Sequence, residues 1–288
     1  MSLIQAIILG LVQGLSEFIP ISSSAHLVLV PWLLGWPEPG IAFDAVLHLG
    51  TLAAVLGVFW RDWITLAVDW LASLRHRVAA PAGGAAGTPA AAGDVPGMAV
   101  GQSAVAWALI VGTIPAVVLG LAAEDFFAAL FGSPGRVSAL LIVTAIVLWA
   151  CERWAGAARR LESIGPAQAL FIGVAQGLAI APGISRSGAT IAAGRFSGLS
   201  RADAARFSFL LATPAIAGAG ALQILKLVSG GTLGQSLGPL AAGFAAAAIS
   251  GYLVIRALLR YLQRHSLLPF AAYCAVVGIA GIALTLAR

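Results

Sequence analysis

The sequence predicts an all-α integral membrane protein with six transmembrane helices, two re-entrant helix pairs and an inverted-topology repeat. Composition, the lengths of the apolar runs and internal repetition carry that prediction. Hydrophobic residues make up 60% of the 288-residue chain and charged residues only 9%, against roughly 25% charged in soluble domains. So few charges cannot cover the surface of a water-soluble protein of this size, which excludes a soluble enzyme. The formal charge of +5 comes from basic residues placed between apolar runs. Such loops face anionic headgroups, so membrane lipids are the expected partner and nucleic acid is not. The start, MSLIQ, has no basic n-region and no cleavage site after a short apolar core, so it does not read as a signal peptide. Cys151 and Cys274 lack CxxC spacing and imply neither a disulfide framework nor a zinc site.

A span needs about 20 apolar residues. Along the chain, residues 3–35 are apolar but interrupted by Ser16, Glu17, Pro20 and the triplet Ser22-Ser23-Ser24. A full span follows at 43–60. Asp62, Thr65, Asp69, Ser73 and His76 then form a polar stripe opposite Trp63, Trp70 and Leu71. That pattern reads as an interfacial helix, or as the wet end of the preceding span. Residues 79–97 are low-complexity and read as a flexible cytoplasmic loop. Spans follow at 101–122 and 136–152, then a second interrupted segment at 166–197, broken by Pro182, Gly183 and Ser185-Arg186-Ser187. Three more spans, 204–226, 237–259 and 267–287, complete a single membrane domain. Half of an interrupted segment is too short to cross alone. Non-helical backbone at membrane depth is tolerated only where protein buries it or it lines a cavity, so the breaks are where a site is expected.

The two interrupted segments repeat each other. QAIILGLVQGLSEFIPISSS (5–24) aligns without gaps on QALFIGVAQGLAIAPGISRS (168–187), with nine of twenty positions identical. Matched Gln-Gly and Ser-x-Ser pairs are not explained by a shared apolar bias. Repeat 1 then covers about 1–122 and repeat 2 about 136–288. Arg61, Arg75 and Arg77, then Arg153, Arg159 and Arg160, then Arg256, Arg260 and Arg264 mark three loops as cytoplasmic, whereas the loop with Glu124 and Asp125 has only Arg136. Both termini are therefore expected outside, with the two broken segments entering from opposite faces and meeting near the midplane.

Ionisable groups within a membrane are expensive, by roughly 2.5–3.5 kcal/mol each on insertion scales, and so mark sites. In the second tip a Pro-Gly turn opens a helix whose first turn holds Ser185, Arg186 and Ser187. Free N–H groups and a planar guanidinium suit phosphate oxygens. The bland alternative is a Ser185 cap with a snorkelling Arg186. In the first tip, Gln13 and Glu17 share a helix face and suit a hard cation, Mg2+ or Ca2+. Glu17 could equally be a general base or orient His26. Ser23 and His26, three apart, fit a nucleophile with a proton carrier, although a lone intramembrane His often only bonds a carbonyl. His48 and Asp44 are set aside as structural or outer-shell groups, and the serines could be caps alone. The set suggests phosphoryl chemistry on a lipid phosphate, without separating hydrolysis from transport.

At these residues the sequence resembles the bacterial undecaprenyl-pyrophosphate phosphatase family, also called the bacitracin-resistance protein family. Gln13 to Glu17 match its (E/Q)xxxE motif, Pro182 to Thr190 match PGxSRSxxT, and Glu17-Phe18 through His26 match the string between them. The resemblance runs on to FSFLLATP at 207–214, while the Ala/Gly/Pro loop at 79–97 departs from the family's compact one. It implies a divalent-cation-dependent hydrolase that removes the terminal phosphate of a polyprenyl pyrophosphate. The product would be the lipid carrier recycled for peptidoglycan assembly, in the bacterial plasma membrane. Gln13 and Glu17 would hold the metal or serve the acid/base step. Ser23, or else water, would attack, with His26 as proton partner. Arg186 with Ser185, Ser187 and Thr190 would clamp the pyrophosphate, with Gln13 and Ser22 beside it. A homodimer is left open. The competing reading is a transporter or flippase for a lipid phosphate, since broken helices in inverted repeats are common there. A purely structural scaffold leaves Glu17 and Arg186 at the breaks without a reason.

Overall fold

The computed structural model describes residues 1–79, 100–123, 126–127, 130, 132–156, 159–229 and 237–288. The low-complexity loop, beyond its first residue, and Glu124 and Asp125 lie outside the described residues, as do the side chains of Arg75, His76 and Arg77. Helices account for the regular structure: α1 (Leu3–Phe18), α2 (Ser23–Leu34), α3 (Ile41–Val58), α4 (Trp60–Ala79), α5 (Val100–Ala122), α6 (Pro134–Trp154), α7 (Pro166–Leu178), α8 (Arg186–Phe196), α9 (Arg201–Ser229), α10 (Leu237–Tyr261) and α11 (Leu268–Ala287). A single 3-10 turn, Leu161–Ser163, precedes α7. Among the described residues there is no strand beyond an isolated bridge between Arg159 and Leu199.

The protein is an all-α integral membrane protein. Among the described residues, five helices are long and apolar enough to cross a bilayer, and the pair α3–α4 makes a sixth if counted as one span, bent by 74°. That bend falls at Phe59, where α3 ends, so α3 supplies the apolar part and α4 turns away with its stripe of polar residues. Trp63 and Trp70 pack half-buried against the core, and Asp62 of α4 is ion-paired to Arg206 of α9. Leu71, grouped with those tryptophans by spacing, is instead 52% exposed.

Both interrupted segments are helix–break–helix. At 16, 12, 13 and 11 residues, α1, α2, α7 and α8 are each too short to span. Corresponding residues start them: Gln5 Oε1 accepts from the Ser2 N–H at 2.8 Å and Gln168 Oε1 from the Gly165 N–H at 3.1 Å. Each glutamine reaches back to satisfy an orphan donor at its helix start. The packing corresponds as well. Helix α1 lies along α10 and α7 along α5, and glycines set both contacts. A Cβ at Gly10 would sit 2.5 Å from the Gly243 carbonyl oxygen, and one at Gly173 would strike the Gly112 carbonyl. Small residues four apart let the backbones touch, the packing that substitutes in lipid for a hydrophobic driving force. The remaining pair, α6 and α11, pack on each other, with Gly278 and Gly281 against Ser138.

Candidate active site

The two breaks meet. Ser24 Oγ accepts from the Gly183 N–H at 3.3 Å, and Ser187 Oγ donates to the Ile19 carbonyl at 3.3 Å. Each break is shaped the same way. Ser22 caps α2 by accepting from the Ala25 N–H at 3.3 Å and lies 3.1 Å from Ser24 Oγ. Ser185 caps α8 by accepting from the Gly188 N–H at 3.0 Å and lies 3.2 Å from Ser187 Oγ. Each hydroxyl occupies one of the orphan donors of its helix start. Thr144, in the middle of α6, braces the second break: its hydroxyl donates to the Gly183 carbonyl at 3.0 Å and accepts from the Ser185 N–H at 2.9 Å. Gly183, at φ 104, adopts a conformation that favours glycine. At the first break the positive φ falls on a non-glycine residue, Ser22, at 71.

Helix α2 begins at Ser23 and helix α8 at Arg186. Both first residues turn onto the carboxylate of Glu17. Arg186 Nη2 donates to Glu17 Oε1 at 2.6 Å, and Ser23 Oγ donates to Oε2 at 2.5 Å. Gln13, one turn earlier on α1, donates to Oε2 from Nε2 at 3.0 Å. The Glu17 side chain is only 4% exposed and that of Arg186 19%. A buried carboxylate needs a partner of this kind to stay charged. Arg186 Nη1 and Gln13 Oε1 are buried with no hydrogen-bond partner, one a free donor and the other a free acceptor beside the carboxylate.

Glu17, Ser23, Gln13 and Arg186 therefore come together as the motifs suggested. Ser23 and His26 do not form the pair their spacing suggested. His26 Nδ1 is 2.7 Å from the Ser22 carbonyl, which can only accept, so Nδ1 carries the proton. Its Nε2 then accepts from the Tyr273 hydroxyl at 2.7 Å, with the two rings stacked 5.6 Å apart. Both imidazole nitrogens are engaged away from Ser23. Ser185, Ser187 and Thr190 are also committed within the fold: Thr190 Oγ1 donates to the Arg186 carbonyl at 2.7 Å and meets Ser208 Oγ at 2.6 Å. All three are nearly fully buried, so they hold Arg186 in place rather than present free hydroxyls. His48, set aside on sequence, lies with Nε2 3.9 Å from Glu17 Oε2. Thr144 and Tyr273 were missed altogether. Their only signal is a hydroxyl within an apolar span, which is weak, since such groups usually bond their own helix.

The bacitracin resistance protein BacA family matches residues 6–280. The chain belongs to that family. It is 45% identical over 287 residues to an undecaprenyl-diphosphatase of Thermomicrobium roseum, covering 97% of this chain and 96% of the relative. Undecaprenyl-diphosphatases of Desulforudis audaxviator and Methanosphaera stadtmanae are 42% and 43% identical, over 99% of this chain and 98% and 99% of the relatives. The family match spans both breaks, so the residues gathered on Glu17 fall inside it, as do the spans that carry them.

Proposed function

We propose that this BacA-family membrane protein is an undecaprenyl-pyrophosphate phosphatase. It hydrolyses the lipid pyrophosphate to undecaprenyl phosphate and inorganic phosphate, recycling the lipid carrier of cell-wall assembly. The observation that carries this reading is the convergence of Ser23 and Arg186, each opening a helix, on the two oxygens of buried Glu17. Two helix N-termini aimed at one point favour an anion there, through their first-turn N–H groups and dipoles.

In the reaction we envisage, the terminal phosphate takes Arg186 in bidentate contact through Nη1 and Nη2. This draws the guanidinium off Glu17 and leaves that carboxylate free to receive a proton. Ser23 Oγ attacks the terminal phosphorus as its proton passes to Glu17. The bond from phosphorus to the bridging oxygen breaks, and undecaprenyl phosphate leaves. Water then attacks the phosphorus of the Ser23 phosphoester; as the bond to Oγ breaks, the proton on Glu17 returns to Ser23 Oγ, and both protons of the water leave with inorganic phosphate. His26, held by Ser22 and Tyr273, orients the first turn of α2 rather than taking the Ser23 proton.

The cation implied by the family fits the residues present. Gln13 Oε1 lacks a partner, and one carboxylate with one amide oxygen suits Mg2+ or Ca2+ when phosphate oxygens and water complete the shell. Among the described residues no three His, Cys, Asp or Glu side chains gather to hold an ion alone, in keeping with a cation that the substrate's phosphates help to bind. When bound, it would offset the charge of the pyrophosphate.

We further propose that the two breaks are re-entrant and related by inverted topology. The glycine contacts support this, with α1 on α10 and α7 on α5 through corresponding positions. The basic loops support a plasma-membrane orientation with both termini outside and residues 79–97 inside. A protease site inserted at Thr88 should resist protease added to intact cells. Cleavage there would overturn the orientation. The activity itself is tested by phosphate release from purified protein in detergent, where transport across a membrane has no meaning. Release dependent on Glu17 and Arg186 is expected, and its absence would leave a lipid-phosphate carrier instead.

A further inference from the structure

The lone pairs around Glu17 are more numerous than its hydrogen bonds require. His48 Nδ1 lies 2.7 Å from the Asp44 carbonyl, one turn earlier on α3. A carbonyl can only accept, so Nδ1 carries a proton and Nε2 is the nitrogen left to take a ligand. That nitrogen lies 3.9 Å from Glu17 Oε2. The distance is too long for a hydrogen bond. It lies within the span of two atoms that could share one ion with bonds of about 2.1 Å. The third lone pair is Gln13 Oε1, fully buried and without a partner, on the amide whose nitrogen already meets Glu17. Backbone anchoring of one imidazole nitrogen is the usual way a metal-binding histidine is oriented.

We infer that His48 is a ligand of the divalent cation, its Nε2 joining Glu17 Oε2 and Gln13 Oε1. This rests on the reading of Gln13 and Glu17 as cation ligands and adds the nitrogen from α3 that those two residues on α1 lack. The ring is also the more accessible of the two partners, its side chain 35% exposed where that of Glu17 is 4%. His26 cannot serve, since Tyr273 takes its Nε2. Arg186 on Oε1 keeps the bare site weak, so binding should strengthen when pyrophosphate brings negative charge and draws the guanidinium away.

The test uses the full chain in detergent with Mn2+ as probe, with and without inorganic pyrophosphate, after gel filtration removes free ions. Pulsed electron paramagnetic resonance reads a directly bound ring nitrogen as 14N coupling. Wild-type protein should hold Mn2+ with one such coupling, and Glu17→Gln should lose the ion. His48→Ala should lose the coupling and weaken Mn2+ binding by about 10-fold or more, whereas His26→Ala should keep the coupling. If His48→Ala does not stay monodisperse, His48→Gln serves, since an amide side chain has no ring nitrogen to couple. Glu17-dependent Mn2+ without 14N coupling, or coupling that survives in the His48 variants, would overturn the role of His48 and leave the cation at Glu17 standing. Mn2+ binding that is absent, or indifferent to Glu17→Gln, would overturn the cation reading and this inference together.

Discussion

The first and second breaks are built alike and equipped differently. Several coinciding residues are used in the same way: Gln5 and Gln168 at helix starts, Gly10 and Gly173 at helix contacts, Ser22 and Ser185 as caps. Where they differ, the first break carries a carboxylate and a hydroxyl and the second a guanidinium. Glu17 faces Ile180 across the alignment, Ser23 faces Arg186, and His26 faces Ala189. The shared frame thus brings two helix starts together, and the unmatched residues supply the groups gathered on Glu17. Gln13 and Gln176 show the same division. The first donates to Glu17, while Gln176, with no carboxylate one turn on, is buried with both amide atoms unpartnered.

The largest effects should follow from the unmatched residues that touch Glu17. Arg186→Ala should lower phosphate release by about 1,000-fold or more, the range in which a phosphate-clamping arginine acts. Arg186→Lys should recover little, because a point charge cannot reproduce two parallel N–H contacts. Removing Arg186 alone also leaves Glu17 buried and unpaired, a loss of about 3–5 kcal/mol in stability. Combining Arg186→Ala with Glu17→Gln should return that stability without returning turnover. Near-normal rates for the Lys variant at saturating lipid would break the contrast between the two helix starts.

Ser23 comes next. If it attacks phosphorus with Glu17 as base, Ser23→Ala should cost about 1,000-fold or more, and Ser23→Ala with Glu17→Ala little beyond that, since groups acting as one unit are not additive. An active Ser23→Ala protein, with Glu17→Ala still severe, would make water the attacking group and leave the phosphatase assignment in place. His26→Ala should be milder, roughly 10-fold to 100-fold, as expected for a misplaced helix start. Tyr273→Phe should resemble it in direction, because both disturb one hydrogen bond. A His26→Ala loss as deep as that of Ser23→Ala would restore the imidazole to the proton step.

The helices, the breaks, Glu17 and Arg186 were legible because each leaves a mark within one segment: run length, interruption, or a charge where none is cheap. Partnerships were not. Ser23 and His26 share a helix face by spacing, but side chains lean toward their helix N-terminus. That lean carries Ser23, first in α2, back over the break to Glu17. Its direction is set by the turn at Ser22, which spacing does not record. His26 finds Tyr273, 247 residues away, and Thr144 braces a break 39 residues on. Such contacts depend on how α6 and α11 pack, and apolar periodicity fixes neither their rotation nor their neighbours. His48 was discounted for the same reason: α3 had to be placed beside α1 before its nitrogen could be seen to face Glu17.

The smallest effect separates the two caps, the feature in which the breaks agree most. Ser185 sits in an extended conformation at φ −70, whereas Ser22 carries φ 71. Replacing either by Ala removes a cap contact and should lower stability by about 1 kcal/mol. Glycine differs between them. At position 185 it forfeits the hydroxyl and relieves nothing, so Ser185→Gly should lose a few tenths of a kcal/mol or so. At position 22 glycine also releases the side chain from a positive φ, a strain of roughly 1–2 kcal/mol for an L-residue. Ser22→Gly should therefore equal or exceed the wild type in unfolding midpoint, while Ser22→Ala falls below it. A glycine-minus-alanine difference no larger at position 22 than at 185, measured by denaturant unfolding in detergent, would mean that the first break stores no strain and is as relaxed as the second.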